Sequence, residues 1–177
     1  MTATVAPVPP RSAVDGLVDE VVALVNRVYA VAEAGFWRPG TSRTDADDVR
    51  DAVAAGELLA ATVDGRLAGV LRIAVEHRVG RLGMLAVEPA ARGAGIGTLL
   101  LEEADRITTE AGGTAMQLEV LTPSDPPSPD KARLDRWYRR LGYAVTAEES
   151  LGEHYPQLVE RLLVPAVLVV YRKPLRG

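Results

Sequence analysis

The stretch "LAVEPAARGAGIGTLLLEEA", Leu85 to Ala104, runs from an apolar segment through Pro89 into a glycine-rich turn, then into a leucine-rich helical repeat. Gly93, Gly95 and Gly97 follow Arg92 just where that helix should start. A glycine in a helix costs roughly 1 kcal/mol relative to alanine. Three of them together ask for a compensating use, and the obvious one is a ligand that needs bare backbone.

A strand, a loop of exposed amides and a helix N-terminus together make an anion site, because unpaired N–H groups and the helix dipole both favour negative charge. Glycine lets those amides approach phosphate oxygens without a side chain in the way, and Arg92 adds a formal charge. The loop therefore reads as a phosphate or pyrophosphate cradle. A nucleotide P-loop would need Gly-Lys-Ser/Thr, but this loop ends Gly-Ile-Gly-Thr. A dinucleotide fingerprint needs Gly-x-Gly-x-x-Gly, and Gly93-x-Gly95-x-Gly97 has the wrong spacing.

Working outward, Thr2 to Val8 reads as a short edge strand closed by Pro9 and Pro10. Val14 to Ala30 places Leu17, Val18, Val21, Val22, Leu24, Val25 and Val28 at helical spacing. GFWRPGTSR follows as a Gly/Pro-punctuated loop. Thr44, with Asp45, Asp47 and Asp48 behind it, predicts the cap and first turn of a second helix that ends near Gly56. Glu57 to Val63, Asp64-Gly65 and Leu67 to Glu76 predict a hairpin, since Asp-Gly tolerates positive φ. Arg81 to Val87 is a further strand, Thr98 to Ala111 a helix closed by Gly112-Gly113, and Ala115 to Leu121 a strand. TPSDPPSPD is too proline-rich to be regular. Lys131 to Leu141 predicts a short helix. Tyr143 to Ala147 and Ala166 to Tyr171 close the chain as strands, with a helix from Tyr155 to Leu163 between them.

The pattern is that of one mixed α/β domain over residues 1–177: paired helices, an antiparallel meander, a strand–helix–strand crossover, then a helix and a hairpin. With 177 residues, 47% hydrophobic and 25% charged, the composition is that of a globular protein with a sizeable core. A net charge of −4 argues against a general nucleic-acid binder. The absence of cysteine removes disulfides, thiolate metal sites and Cys nucleophiles. His77 and His154 are too few and too far apart to suggest a metal site. No apolar run approaches the roughly 20 residues of a membrane span, and no signal-peptide pattern opens the chain. The expectation is a cytoplasmic protein.

Arg92-Gly93-Ala94-Gly95-Ile96-Gly97 resembles the Q/R-x-x-G-x-G/A acyl-CoA loop of the GNAT superfamily of N-acetyltransferases. "MLAVEPAARGAGIGTLLL" is similar to that family's central strand, loop and helix together, and "RWYRRLGYAV" to its later aromatic-Tyr segment. The order of elements from about Val14 to Pro174 agrees.

The resemblance implies the GNAT fold with splayed central strands, acetyl-CoA as cosubstrate and no metal. It implies that backbone groups of Leu85, Ala86 and Val87 hold the pantetheine arm, and that Arg92, Gly93, Ala94, Gly95, Ile96, Gly97 and Thr98 hold the pyrophosphate. Tyr138 matches the position that commonly protonates the departing thiolate, its alternative being a core tyrosine beside Trp137. Many relatives carry Asn seven residues earlier, where this chain has Lys131. That lysine either reaches a cofactor phosphate or leaves the contact unmade.

Direct attack of an amine on a thioester needs a route for the ammonium proton. Glu119, Glu33 and an ordered water chain are the options for that role, and either carboxylate alone is also readable as a solvated surface group. The loop Ala34 to Arg43 matches the roof of the family's acceptor cleft, with Glu33, Trp37 and Arg43 as acceptor contacts and Phe36 as a further apolar wall. Arg38 and Arg43 there suggest a small acceptor with both an amine and an acidic group, unless they pair with Asp45, Asp47 or Asp48. The expected reaction is acetyl transfer to a primary amine of a small molecule. A protein lysine or N-terminus as acceptor, and a non-catalytic acyl-CoA sensor, are the rivals. The acceptor's identity and the oligomeric state, a homodimer included, stay open at this level.

Overall fold

The computed structural model describes residues 3–10, 15–124 and 128–175. Thr2, Val14 and residues 125–127 of the proline-rich segment, all included in the sequence expectations, lie outside them.

Seven strands form one sheet in the order β1-β2-β3-β4-β5-β7-β6. They are β1 (Ala3–Pro7), β2 (Leu58–Val63), β3 (Arg66–Glu76), β4 (Val79–Val87), β5 (Ala115–Pro123), β6 (Ala144–Ser150) and β7 (Ala166–Pro174). Every pairing is antiparallel except β4 with β5, whose parallel alignment requires the crossover helix between them. The helices are α1 (Asp15–Ala32), α2 (Ala46–Ala54), α3 (Ile96–Glu110), α4 (Pro129–Arg140) and two short pieces, α5 (Leu151–His154) and α6 (Pro156–Val159).

The period-two alternation of the strands sorts the core into two layers. Leu58 and Val70 face α1 and α2, where they meet Val18, Val21, Val25, Val49 and Val53. Their neighbours Leu59 and Leu71 face α3 and α4, where Leu100, Leu101, Ala104 and Tyr138 complete a second cluster. The sheet is thus covered by a helix pair on each face, which leaves the strand ends as the place for a site.

Three local expectations change. The cap of α2 is Asp45 rather than Thr44: the Asp45 carboxylate accepts from the amides of Asp47 and Asp48, and Asp48 returns the bond. Thr44 is instead buried, its backbone clamped by Asn26. Helix α3 begins at Ile96, two residues before the expected Thr98. The helix expected from Tyr155 to Leu163 is shortened to the single turn of α6, started by Pro156, and a further turn, α5, capped by Ser150, precedes it.

Candidate active site

Strand β4 sets the geometry. Between its pairs Val70–Ala86 and Arg72–Gly83 with β3, it carries one residue more than β3 does. Met84 takes up that residue with φ +52, a positive value rare outside glycine. Such a bulge bends its strand. On the other side, β4 pairs with β5 only from Val79–Ala115 to Leu82–Leu118. Past that point the two strands separate.

Glu88 N–H donates to Ala68 O at 2.8 Å. By the alternation of an antiparallel ladder, the backbone groups of Ala86 also point to β3, and those of Leu85 and Val87 point into the opening. Leu85 and Val87 line the resulting cleft of about 630 Å³, a size suited to a small ligand or cosubstrate. Ala86 does not line it; its side chain is buried against α1 and α2.

The glycine loop closes one end of the cleft. Gly93 and Gly95 have φ of +83° and +80°, so two of the three glycines supply left-handed backbone at the entrance to α3. Gly97 has a different reason. A Cβ there would lie 3.2 Å from the Trp137 indole, so the glycine lets α3 pack against α4. The first helical bond joins Leu99 N–H to Gly95 O at 3.0 Å, and no side chain caps the helix. The amides of Ile96, Gly97 and Thr98 therefore precede the ladder and face outward. Arg92, Gly93, Gly95, Ile96, Gly97 and Thr98 all line the cleft, whereas Ala94 does not.

At the other end stands a buried charge cluster that the sequence reading divided among separate roles. Glu33, only 3% exposed, is no solvated carboxylate. Trp37 donates its indole N–H to Glu33 Oε2 at 2.7 Å, Arg43 Nε lies 3.3 Å from the same oxygen, and Lys131 Nζ lies 3.5 Å from Oε1. Arg43 is held between the faces of Tyr29 and Trp37, its guanidinium carbon 5.1 Å from each ring centre. Its backbone N–H bonds to Asn26 Oδ1 at 2.8 Å. The alternative that it pairs with Asp45, Asp47 or Asp48 is not what the structure holds.

Glu33, Arg43 and Lys131 line the cleft; Trp37 works from behind. Phe36 belongs to a small core with Leu121, Leu151 and Leu168 rather than to a ligand wall. Burial pulls the Lys131 ammonium below the usual lysine range, with Glu33 opposing the shift. Burial also pushes the Tyr29 phenol up to about 12, with Arg43 opposing and Glu33 adding to it.

Glu119 lines the cleft from β5, and Tyr155 donates its hydroxyl to Glu119 Oε2 at 3.2 Å. Tyr138 lines it from α4 and is 6% exposed. Burial pushes its phenol well above the ordinary value, and Tyr29, Tyr143 and Tyr171 add to that. The roof is tied down by backbone bonds between two loops: Arg38 N–H to Arg161 O and Leu163 N–H to Phe36 O, both 2.8 Å. His154 sits beside Glu149 at 2.6 Å, and His77 lies in the turn after β3; neither lines the cleft. Among the described residues no group of three or more His, Asp or Glu could hold a metal ion, and no helix is long and apolar enough to cross a membrane.

Asn26, Tyr29, Tyr155 and the Glu33–Lys131 contact escaped the sequence reading. Asn26 and Tyr29 do sit on the α1 face that carries the helix's apolar repeat. Nothing local marks Tyr155, and the Glu33–Lys131 pair spans 98 positions.

A β4–β5 pair that separates beside a turn of unladdered amides is the arrangement that the resemblance to the GNAT fold implies for an acyl-CoA site. Residues 54–145, more than half of the chain, match the acetyltransferase (GNAT) domain family. The chain belongs to that family and is an acetyl-CoA-dependent N-acetyltransferase. Similar solved structures include the PaiA N-acetyltransferase of Thermoplasma acidophilum in complex with coenzyme A, with a TM-score of 0.71 and 14% identity over 98% of this chain and 99% of that one. The ribosomal-protein-S18-alanine N-acetyltransferase of Escherichia coli gives 0.62 and 15% over 99% and 96%. Nourseothricin acetyltransferase gives 0.54 and 21% over 67% of this chain and 65% of that one. No curated protein matches the sequence.

Proposed function

We propose that the protein transfers the acetyl group of acetyl-CoA to a primary amine of a small-molecule acceptor, by direct attack in a ternary complex. The observation that carries this is the roof. The loop after α1 and the segment before β7 are joined by two 2.8 Å backbone bonds beside the Glu33 end of the cleft. A roof whose two loops are bonded to each other suits a compact acceptor better than an extended polypeptide.

The residues present fit acetyl-CoA: unladdered amides at a helix N-terminus for its phosphates, and a strand gap for its arm. When bound, acetyl-CoA supplies the activated thioester. Backbone groups of Leu85 and Val87 hold and orient the arm, Ala86 fixing the strand from behind. Arg92 and the turn Gly93, Ala94, Gly95, Ile96, Gly97 and Thr98 hold the pyrophosphate. Glu119 takes the proton of the acceptor ammonium at its carboxylate, with Tyr155 orienting it. Tyr138 keeps its phenolic proton in the desolvated site, delivers it from Oη to the leaving sulfur, and recovers one from the second proton that the nitrogen sheds as the amide forms. Glu33, Trp37 and Arg43 shape the acceptor end.

The reading takes residues 1–177 as one catalytic domain working in the cytoplasm, without metal, nucleic acid or membrane. Incubation with acetyl-CoA and a panel of amines, read as free thiol and product mass, tests it. Thiol release that depends on an amine is expected; release no faster than hydrolysis with every amine would sink the reading.

A further inference from the structure

We propose that the acceptor is amino-acid-like, carrying a carboxylate that Lys131 and Arg43 hold while Glu119 faces its amine. The proposal rests on the transfer reading above and names its substrate class. The cluster at the roofed end sets a single carboxylate, Glu33, against two cations at 3.3 and 3.5 Å. Glu33 already receives the Trp37 indole.

The lysine side chain is 7% exposed, lines the cleft and has three N–H donors. It spends one, at 3.5 Å, on Glu33 and lies 5.5 Å over the centre of the Phe36 ring, which leaves donors without an acceptor. Arg43 Nε is buried with no hydrogen-bond acceptor. The rings of Tyr29 and Trp37 steady the guanidinium without accepting from it in the plane. Buried donors left unspent are costly, and buried charge without a partner more so.

The other acids at this end do not balance the account. Asp130 is largely exposed and engaged with Arg133 at 3.3 Å, and Glu119, which accepts from the neutral Tyr155 hydroxyl, forms no ion pair with either cation among the described residues. A ligand carboxylate would give those donors the acceptor they lack. Glu119, acting on the same cavity from β5, suits the ammonium of that ligand. One cavity thus presents a cationic wall and an acidic wall, which is the complement of a zwitterion. The phosphates of acetyl-CoA have their own amides at the start of α3.

The test compares kcat/KM for α-amino acids, their decarboxylated amines and polyamines, in the parent and in Lys131→Met, with acetyl-CoA affinity measured alongside. In Lys131→Met, Glu33 keeps Trp37 and Arg43, so the carboxylate is not orphaned. The parent is expected to prefer carboxylate-bearing acceptors by about 10-fold or more, as one charge-assisted hydrogen bond allows, and mainly through KM. In Lys131→Met that ratio should collapse toward one while acetyl-CoA affinity holds, and Lys131→Arg should restore part of it.

Decarboxylated amines working as well as the acids in the parent would overturn the proposal and leave the transfer reading intact. Lys131→Met weakening acetyl-CoA binding with the acceptor preference unchanged would also overturn it, since the lysine would then serve the cosubstrate. Acetyl-CoA binding without turnover of any amine would overturn the transfer reading, and this proposal with it. The parent's own ratio decides the matter even where the variant fails to fold.

Discussion

Replacing Glu33 by glutamine should destabilise the protein, and the loss should depend on pH in a specific direction. Glutamine keeps the shape and can still accept from Trp37, but it removes the only negative charge between Arg43 and Lys131. Lys131 then faces burial and a like charge with no ion-pair partner, and it gives up its proton. Each pKa unit is worth about 1.4 kcal/mol, so keeping a lysine neutral at pH 7 costs at most about 5 kcal/mol against the free value near 10.4. Burial already holds Lys131 down in the parent, so part of that cost is present before the change. A loss of about 3 kcal/mol at pH 7 is expected, in the range for breaking a buried pair by removing one partner.

The folded pKa of Lys131 lies below its unfolded value, so the unfolded chain binds more protons between the two, and stability rises with pH across that window. Without Glu33 the folded value falls further and the window widens downward. The deficit of Glu33→Gln should therefore be largest near neutrality and shrink as pH climbs toward 10. Urea denaturation of parent and variant at pH 7 and 9.5 reads both quantities. A variant within about 0.5 kcal/mol of the parent at both pH values, the scatter of ordinary surface substitutions, would refute the reasoning.

Tyr138→Phe should lower turnover on the order of 100-fold, as a lost general acid does, with little change in acetyl-CoA affinity by calorimetry. No hydrogen bond to its hydroxyl exists among the described residues, so its thermal midpoint should barely move. Gly97→Val should cost about 1–3 kcal/mol by overpacking, because even a Cβ at that position meets Trp137 at 3.2 Å. Its effect should appear in thermal melting of the protein without ligand.

The architecture was legible because its signals are local. Strand alternation, the Asp64-Gly65 turn, Gly112-Gly113 and the apolar repeat of α1 each act within a few residues, and the structure follows them. The glycine turn was legible in position but only partly in cause: Gly93 and Gly95 answer to backbone conformation, Gly97 to an indole 40 positions away. Glu33 was readable as an acceptor contact, a base or a solvated acid, because its partners Arg43 and Lys131 lie on other elements, brought in by folding. The bulge at Met84 carried no composition signal, since methionine is not a residue that marks positive φ. The helical spacing of Leu158 and Leu162 suggested a helix reaching Leu163, whereas α6 ends at Val159.

In the proposed function the bare amides of the turn before α3 hold the phosphates of acetyl-CoA. Gly95→Val tests it most directly. A Cβ at Gly95 meets no protein atom within 4 Å, so the added side chain disturbs the outward face of the turn rather than the core. The left-handed φ of +80° adds a local strain of about 1–2 kcal/mol, which a thermal melt will register separately. Titration calorimetry with acetyl-CoA should show the folded variant binding at least about 100-fold more weakly than the parent, the equivalent of a charge-assisted bond or two. A folded variant that binds acetyl-CoA as the parent does would contradict the claim.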